Sequence, residues 1–251
     1  MASMTQTTTA PLVRLDGVRK EFGAVVALEE VTLDVNAGEI VALVGDNGAG
    51  KSTLIKLIAG VHQPTSGEIR LEGVPVRLSA PTDARDQGIE VVYQDLALAD
   101  QQPVYMNMFL GRELVRGPLR RLDRERMARE TQRLLDELEI RVPSPRATIR
   151  DLSGGQRQGV AIARATHWAQ RLVLMDEPTA ALGVQETSRV EDIIVRMRDR
   201  GRAILLVSHS LDQVFRISDR ICVLRRGQQV GVRTTSETSG DEIVSMITGL
   251  R

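Results

Sequence analysis

Residues 40–52 read IVALVGDNGAGKS, and this stretch decides the fold. It opens with five apolar residues, Ile40–Val44, whose lack of polar alternation is typical of a strand buried on both faces. It continues with Gly45–Ser52, which matches the phosphate-loop pattern G-x-x-x-x-G-K-S/T. Apolar residues at helical spacing follow within Leu54–Ile58, so we predict a strand, a phosphate-binding loop and a helix. A chance glycine-rich turn is the alternative, and the flanking strand and helix argue against it.

The residue types in this loop suit a bound polyphosphate. Glycines let backbone N–H groups curl around phosphates, and the following helix presents its positive end to them. Lys51 would neutralise the β- and γ-phosphates, and the hydroxyl of Ser52 would bind magnesium. We therefore predict ATP with Mg²⁺ as the ligand. The residues predicted to hold the nucleotide here are Gly45, Asp46, Asn47, Gly48, Ala49, Gly50, Lys51, Ser52 and Thr53.

Three more short apolar runs have the same character: Val91–Tyr93, Leu172–Met175 and Ile204–Val207. Helix-like segments lie between them, and strands that alternate with helices imply a parallel sheet with right-handed crossovers. The polar residues that directly follow these runs are Gln94, Asp176 with Glu177, and Ser208 with His209. Because ligands bind at the carboxyl edge of open parallel sheets, we expect these residues to meet the phosphate loop in one crevice.

The pair Asp176 and Glu177 is the second motif. A carboxylate at a strand end can hold Mg²⁺ through its water shell, and we assign that role to Asp176. Glu177 would polarise the attacking water as general base. An isolated Asp-Glu pair is usually a solvated turn, but the buried strand before it and the phosphate loop favour a site here.

The third motif is the signature segment, residues 152–156, which reads LSGGQ before a helical-looking stretch. Ser153 would cap that helix, and Gly154 and Gly155 would expose backbone N–H groups to an anion. Taken alone, these residues are interpreted equally well as a plain helix start.

The charge balance argues against nucleic acid as a partner. The chain has 251 residues with 33 basic and 33 acidic side chains, so it lacks the positive excess typical of nucleic-acid binders. The arginine-rich stretch 112–129 also holds acidic residues and is better interpreted as a solvated mixed-charge face. The single cysteine, Cys222, lies in an apolar run and is expected to be buried. No stretch approaches the ~20 apolar residues needed to span a bilayer.

The chain divides into regions of different pattern. Residues 12–35 alternate apolar and polar side chains, which suggests antiparallel strands in front of the core. Residues 96–159 hold helical stretches such as 123–138, punctuated by prolines, and are interpreted as a mostly helical insertion. We predict a flexible tail at 1–11, a nucleotide-binding core with a β subdomain at 12–95 and 160–251, and a helical subdomain at 96–159 that ends in the signature segment.

The phosphate loop, the Ser-Gly-Gly-Gln element and the Asp-Glu-Pro element, in this order, resemble the ABC transporter ATPase family from about residue 12 onward. The resemblance implies an α/β fold of the P-loop NTPase (RecA-like) type, with an N-terminal antiparallel β subdomain and an inserted helical signature subdomain. It implies that Phe22 stacks on adenine, that Gln94 senses magnesium and couples to a membrane partner, and that His209 contacts the γ-phosphate. The implied catalytic residues are Glu177, His209 and Gln94, and the implied metal ligands are Ser52, Gln94 and Asp176.

The resemblance also implies partners. In the family, Ser153, Gly154, Gly155 and Gln156 of one subunit belong to the nucleotide site of the other subunit. Because this chain has one phosphate loop and one signature segment, two identical chains arranged head to tail would complete two sites. Integral-membrane permease subunits, and indirectly a solute-binding protein, would complete a transporter, with this chain peripheral on the cytoplasmic face of a bacterial plasma membrane. Gly183 stands where many members have Asp, which leaves open how the two sites communicate.

Four stretches resemble the sugar-import branch of the family, at 92–98, 107–113, 180–184 and 246–250. Together they resemble the ATPases of monosaccharide importers for ribose, xylose or fructose, of the kind with one cassette per chain. No residue here is expected to touch sugar, so the substrate follows only from the resemblance. The alternatives are an exporter ATPase, a soluble ABC ATPase that acts on DNA or ribosomes, and a nucleotide-sensing regulator without turnover.

Overall fold

A computed structural model describes residues 10–180 and 182–249 of the chain. The strands in these ranges are β1 (Val13–Phe22), β2 (Val25–Val35), β3 (Ile40–Val44), β4 (Ser66–Leu71), β5 (Val74–Val76), β6 (Ile89–Val92), β7 (Val115–Arg116), β8 (Arg121–Leu122), β9 (Leu172–Asp176), β10 (Ala203–Val207), β11 (Arg220–Arg225) and β12 (Gln228–Thr234). The α-helices there are α1 (Lys51–Ile58), α2 (Pro81–Asp86), α3 (Val104–Met108), α4 (Arg124–Glu137), α5 (Gly154–Trp168), α6 (Val184–Asp199), α7 (Leu211–Ile217) and α8 (Gly240–Thr248).

The centre of the main sheet is parallel. Strand β3 lies between β11 and β10, with β9 beside β10 and β6 at the edge. These four neighbouring pairs are all parallel, and Leu205 of β10 lies opposite both Val41 of β3 and Leu174 of β9. The structure therefore confirms the predicted α/β fold with a parallel-sheet core.

Burial on both faces explains the unbroken apolar runs. Every residue of β3 and β10 is buried. Val41 and Leu43 pack into the core cluster that contains α1, whereas Ile40 packs into the cluster on the other face with α5 and α6. A fully buried aliphatic side chain contributes roughly 1.5–3 kcal/mol. A polar residue on either face of these strands would therefore be costly.

The antiparallel strands expected within residues 12–35 are β1 and β2. Strand β1 pairs antiparallel with β2 on one side and with β4 on the other, and its alternate residues Val13 and Leu15 are buried. This end of the sheet joins the parallel centre through β12, where Gln228 pairs with Glu29. The antiparallel strands thus continue the same ten-stranded sheet as the core.

Residues 96–159 contain α3, α4 and a small hairpin, β7 and β8, that the prediction of a mostly helical insertion did not include. The turn between the two strands holds Gly117 and Arg120 at positive φ angles of 69° and 49°, which lets the chain reverse there. The predicted boundary at 159/160 falls inside the continuous helix α5. The division into a core and a helical subdomain remains a prediction.

The structure also bears on the single cysteine, on membrane-spanning helices and on the ends of the chain. Cys222 is buried in β11, and burial raises the pKa of its thiol to about 12. A thiol of that kind is chemically inert, as expected. Over the two described ranges, no helix combines the length and apolar character that crossing a bilayer requires. Most of the tail predicted at 1–11 lies outside the described residues, as do Ala181 and Leu250 of the stretches that resemble sugar importers.

Candidate functional site

The loop between β3 and α1 has a backbone that requires glycine. Gly45, Gly48 and Gly50 have φ angles of 154°, 79° and 103°. A Cβ atom on Gly45 would collide with the carbonyl oxygen of Leu224, and one on Gly50 would lie 2.8 Å from the carbonyl oxygen of Ala27. Only glycine fits these two positions without a shift of the neighbouring backbone. The loop leads directly into the N-terminus of α1, and the N-terminus of a helix favours a bound anion.

Lys51 is held by the loop itself. Its Nζ donates hydrogen bonds to the carbonyl oxygens of Gly45 at 2.8 Å and Asp46 at 3.0 Å, and the residue is only 6% exposed. Burial lowers the pKa of Lys51, while the negative charge of Glu177 acts in the opposite direction. Phosphate oxygens would be stronger partners for this ammonium than the two neutral carbonyl groups.

Glu177 and His209 meet at the carboxyl ends of β9 and β10. Glu177 has a φ angle of 51°, which is uncommon for a residue other than glycine. Its backbone N–H donates to the carbonyl oxygen of Val207 at 3.0 Å. Its Oε1 lies 2.7 Å from Nε2 of His209. The unusual backbone thus aims the carboxylate at the histidine that follows the neighbouring strand.

Asp176, the last residue of β9, is a partly buried carboxylate. Burial raises the pKa of Asp176, and the neighbouring negative charge of Glu177 raises it further, against the attraction of Lys51. Surroundings of this kind disfavour an unpaired negative charge. A cation bound beside Asp176 would therefore stabilise its ionised carboxylate.

A cavity of about 290 Å³ joins these parts. It is lined by residues 47–53 of the phosphate loop and α1, by Glu177 and His209, and by Val25, Val26 and Ala27 of β2. Three of the predicted segments therefore meet in one crevice at the carboxyl edge of the sheet. The β2 residues were not predicted to belong to the site, because nothing in their local pattern indicates that this strand faces the loop.

Gln94 and Phe22 do not line this cavity. Gln94 is exposed in the bend that follows β6, at the same edge of the sheet. Phe22 ends β1, is 44% exposed and makes an edge-to-face contact with His62 at a centroid distance of 5.1 Å. Its backbone pairs with Val25, which does line the cavity. Their roles toward magnesium and adenine remain predictions.

The signature segment caps α5 as its sequence suggests. Ser153 Oγ accepts a hydrogen bond from the backbone N–H of Gln156 at 3.2 Å, and Gln156 Oε1 accepts one from the N–H of Ser153 at 3.0 Å. This is a reciprocal capping box. Ser153, Gly155 and Gln156 line a different cavity of about 360 Å³, together with residues of α6 such as Glu186. Within one chain, the signature segment therefore does not line the phosphate-loop cavity.

A buried polar network behind the site also escaped the sequence analysis. Gln213 of α7 is 1% exposed and accepts a hydrogen bond from Ser208 Oγ at 2.8 Å. Its amide donates to Thr179 Oγ1 at 3.0 Å and to Glu191 Oε1 at 3.3 Å, and Glu191 pairs with Arg216 at 2.7 Å. The network thus ties the residue before His209 to the loop after Glu177. Its members are scattered along the chain, so no local motif indicates them.

Comparison with known proteins defines the class of protein. Residues 28–180 match the family model described as ABC transporter, which is more than half of the chain. The chain therefore belongs to the ABC transporter family of ATP-hydrolysing subunits, and its fold is that of an ATP-binding cassette.

Three relatives named as sugar import ATP-binding proteins are similar over almost the whole of this chain. A xylose/arabinose import ATP-binding protein from Sulfolobus acidocaldarius is 45% identical over 94% of this chain and 94% of its own length. A fructose import ATP-binding protein from Rhizobium meliloti is 44% identical over 96% of this chain and 95% of its own length. A ribose import ATP-binding protein from Yersinia pestis is 44% identical over 95% of this chain, which spans 46% of that longer protein.

Solved structures agree on the fold. The ADP conformation of an ATP-binding cassette of an ABC transporter superposes with a TM-score of 0.82 at 25% identity, covering 96% of both chains. A dimeric post-hydrolysis cassette bound to ADP and Pi has a TM-score of 0.74 at 25% identity, covering 89% of this chain and 98% of that one.

Proposed function

We propose that this chain is the ATP-hydrolysing subunit that energises a monosaccharide importer. The observation that carries the hydrolytic part is the 2.7 Å contact between Glu177 Oε1 and His209 Nε2 beside the phosphate loop. The importer part rests on the relatives, which are named for the import of xylose or arabinose, fructose and ribose. Because these are import proteins that match nearly all of this chain, an exporter or a soluble ATPase acting on nucleic acid is less favoured.

The geometry of the cavity supports the following course for the reaction. The triphosphate of ATP lies along the phosphate loop, and Lys51 exchanges its two carbonyl partners for phosphate oxygens. Glu177 accepts a proton from water as the water oxygen bonds to the γ-phosphorus and the bond to the β,γ-bridging oxygen breaks. ADP and inorganic phosphate are the products. His209 orients Glu177 before ATP binds and contacts the γ-phosphate when ATP is present.

Mg²⁺ fits the residues present. Across the part of the chain that the structure describes, no group of three or more His, Cys, Asp or Glu side chains could hold a metal ion. This suits magnesium, which keeps several waters and binds through one or two protein oxygens plus substrate phosphates. The Ser52 hydroxyl, the Asp176 carboxylate and the Gln94 amide oxygen would hold it. When bound, the ion neutralises charge on the phosphates.

Phe22 would contact the adenine ring. The side chain is exposed at the end of β1, its neighbour Val25 lines the cavity, and aromatic faces stack on bases. The Phe22 ring now has His62 edge-to-face and the Lys20 ammonium 4.9 Å from its centroid, so adenine would replace one of these two contacts.

A second copy of the chain would complete each site. The signature segment does not line the phosphate-loop cavity of its own chain, so this cavity lacks the anion-binding helix start that the segment provides. In a head-to-tail pair, Ser153, Gly154, Gly155 and Gln156 of one chain would reach the γ-phosphate held by the other. A similar solved cassette is dimeric, which supports this arrangement.

The membrane subunits would dock beside Gln94. A cavity of about 290 Å³ next to this residue is lined by Tyr93, Leu110 and Trp168, and by the charged residues Glu90 and Arg112. A protruding amphipathic segment of a permease would fit this mixed lining. Docking there would place the chain on the cytoplasmic face of the membrane, with a solute-binding protein on the far side.

Purification of the chain from native membranes tests this function. We expect permease and solute-binding subunits to accompany it, and the reassembled complex to hydrolyse ATP faster when a monosaccharide-loaded binding protein is added. Stimulation by nucleic acid instead of membrane subunits would identify a soluble ABC ATPase. ATP binding without turnover in the assembled complex would identify a nucleotide-sensing regulator.

A further inference from the structure

The carboxylate of Glu186 lies on the N-terminus of the signature helix α5. Glu186 is in the first turn of α6, and its Oε1 lies 3.3 Å from the backbone N of Gly155 and 3.4 Å from Oγ of Ser153. Both groups donate hydrogen bonds to the carboxylate. They are the same donors that a head-to-tail dimer would offer to the γ-phosphate of the partner's ATP.

The position favours an anion for a physical reason. The first N–H groups of a helix have no partner within the helix, and the helix dipole places partial positive charge there. In α5 the N–H of Gln156 is already taken by Ser153 Oγ. Glu186 satisfies the N–H of Gly155, so the chain supplies its own anion to the site.

Glu186 also reaches the start of its own helix. Its Oε2 lies 3.5 Å from the backbone N of Gly183, the residue that stands where many family members have Asp. The side chain therefore bridges the loop after the Glu177 motif and the signature helix. At this junction, the negative charge comes from Glu186 rather than from position 183.

We propose that Glu186 occupies the signature donors until the γ-phosphate of ATP, bound by the partner subunit, displaces it. This rests on the proposed head-to-tail dimer. Displacement requires a γ-phosphate, so ADP leaves Glu186 in place, whereas the γ-phosphate of ATP must outcompete this carboxylate before the dimer closes. Glu186 thereby sets the ATP concentration at which two chains close.

The displaced carboxylate of Glu186 has an alternative position in the adjoining cavity. The adjoining cavity of about 360 Å³ is lined by Arg141, Arg189 and Arg196, of which Arg196 already pairs with Glu139 at 2.8 Å, and by Asp192. Glu186 is itself only partly buried, so a rotamer change can move its charge toward Arg141 or Arg189 without unfolding the start of α6.

The test measures ATP-driven dimerisation of the whole chain. The hydrolysis-deficient variant Glu177→Gln keeps ATP intact, and analytical ultracentrifugation gives its dimer fraction as ATP is raised. Adding Glu186→Gln removes the competing charge at two symmetric sites, so the half-maximal ATP concentration should fall by about threefold to tenfold. The response to ADP should stay unchanged, because ADP has no γ-phosphate to bind the freed donors. Asp192→Asn is the matched control, because Asp192 lies on the same helix and lines the same cavity.

The outcomes separate this inference from the proposed function. If the Glu177→Gln chain alone does not dimerise with ATP, the head-to-tail dimer itself is wrong. If it dimerises but Glu186→Gln leaves the ATP requirement unchanged or raises it, Glu186 does not compete with the γ-phosphate. Glu186→Asp keeps the charge but shortens the reach, so it should shift the ATP requirement in the same direction. If Asp192→Asn lowers the half-maximal ATP concentration by the same factor, the effect comes from the loss of any negative charge near this cavity and not from Glu186 in particular.

Discussion

Among single residues, Glu177 combines a constrained backbone with a directed side chain. Its φ angle of 51° and its N–H bond to Val207 place the carboxylate against His209. A non-glycine residue at positive φ costs folding free energy, roughly 1–2 kcal/mol. A cost of this kind at the proposed catalytic position indicates selection for geometry rather than for stability.

Replacing this carboxylate is the first prediction. Glu177→Gln should lower ATP turnover by about 10²–10⁴-fold, because the amide cannot accept the proton of the attacking water. ATP affinity should stay close to that of the unaltered chain, since Lys51 and the loop are unchanged. Steady-state hydrolysis and equilibrium binding of a fluorescent ATP analogue measure the two effects. The exposed Glu237→Gln serves as the control, and full activity of Glu177→Gln would remove Glu177 as general base.

A second prediction concerns His167, which packs against Phe109 and Trp168 near the end of α5. Burial lowers the pKa of His167, so the folded chain favours the neutral ring. The unfolded chain therefore binds the extra proton more readily, and stability should fall as pH drops below the ordinary histidine value of 6.5.

His167→Gln should make the free energy of unfolding less dependent on pH across this window. Chemical denaturation at several pH values measures it, and His62→Gln, which alters a partly exposed histidine, is the comparison. An equally steep pH dependence in the His167→Gln chain would contradict the burial argument.

At the scale of elements, the phosphate loop depends on glycine for two different reasons. Gly48 has a φ angle of 79° with nothing within 4 Å of an added Cβ atom, whereas Gly45 has both an unusual φ angle and a carbonyl oxygen in the way. At Gly48, a side chain is disfavoured only by the backbone conformation. At Gly45, it is disfavoured both by the conformation and by a collision with the neighbouring carbonyl oxygen.

The two alanine variants should therefore differ. Gly48→Ala should lower the free energy of unfolding by about 1–2 kcal/mol, the cost of a left-handed conformation. Gly45→Ala should cost more and should also weaken ATP binding, because strand β11 must move away from the loop. Urea denaturation and ATP titration compare the pair directly. Equal losses at the two positions would show that the contact with Leu224 is unimportant.

At the scale of the whole molecule, a head-to-tail dimer predicts complementation. Lys51→Ala disables a phosphate loop but leaves the signature segment intact, whereas Gly155→Asp places a repelling charge in the signature segment and leaves the loop intact. Each variant alone should be nearly inactive, because each of its two sites lacks one half.

Mixing equal amounts should restore activity to about a quarter of the unaltered level, because about half of random dimers are mixed and each mixed dimer has one complete site. ATPase activity after mixing, compared with each variant alone, measures this. Recovery should disappear if the chains are crosslinked as homodimers before mixing. No recovery in freely exchanging chains would contradict the head-to-tail arrangement.

Much of the fold followed from local pattern. The runs Ile40–Val44, Leu172–Met175 and Ile204–Val207 have no polar residue, because both faces of β3, β9 and β10 are covered, and they coincide with these strands to within a residue. The phosphate loop and the capping box of α5 are also local, since their hydrogen bonds join residues within a few positions of each other. The hairpin at β7 and β8 was missed, because two-residue strands leave almost no periodic pattern.

Local pattern was enough to predict the class of fold, the phosphate loop and the helix start at Ser153, because short-range sterics and hydrogen bonding set each of them. The three-dimensional structure was needed to show that Glu177 meets His209, that Gln213 ties their two loops together, and that Glu186 covers the donors of the signature helix. It also separated the signature segment from the phosphate loop of its own chain. These contacts join segments far apart in the chain, so strand order and helix packing determine them, and no local pattern of residues can.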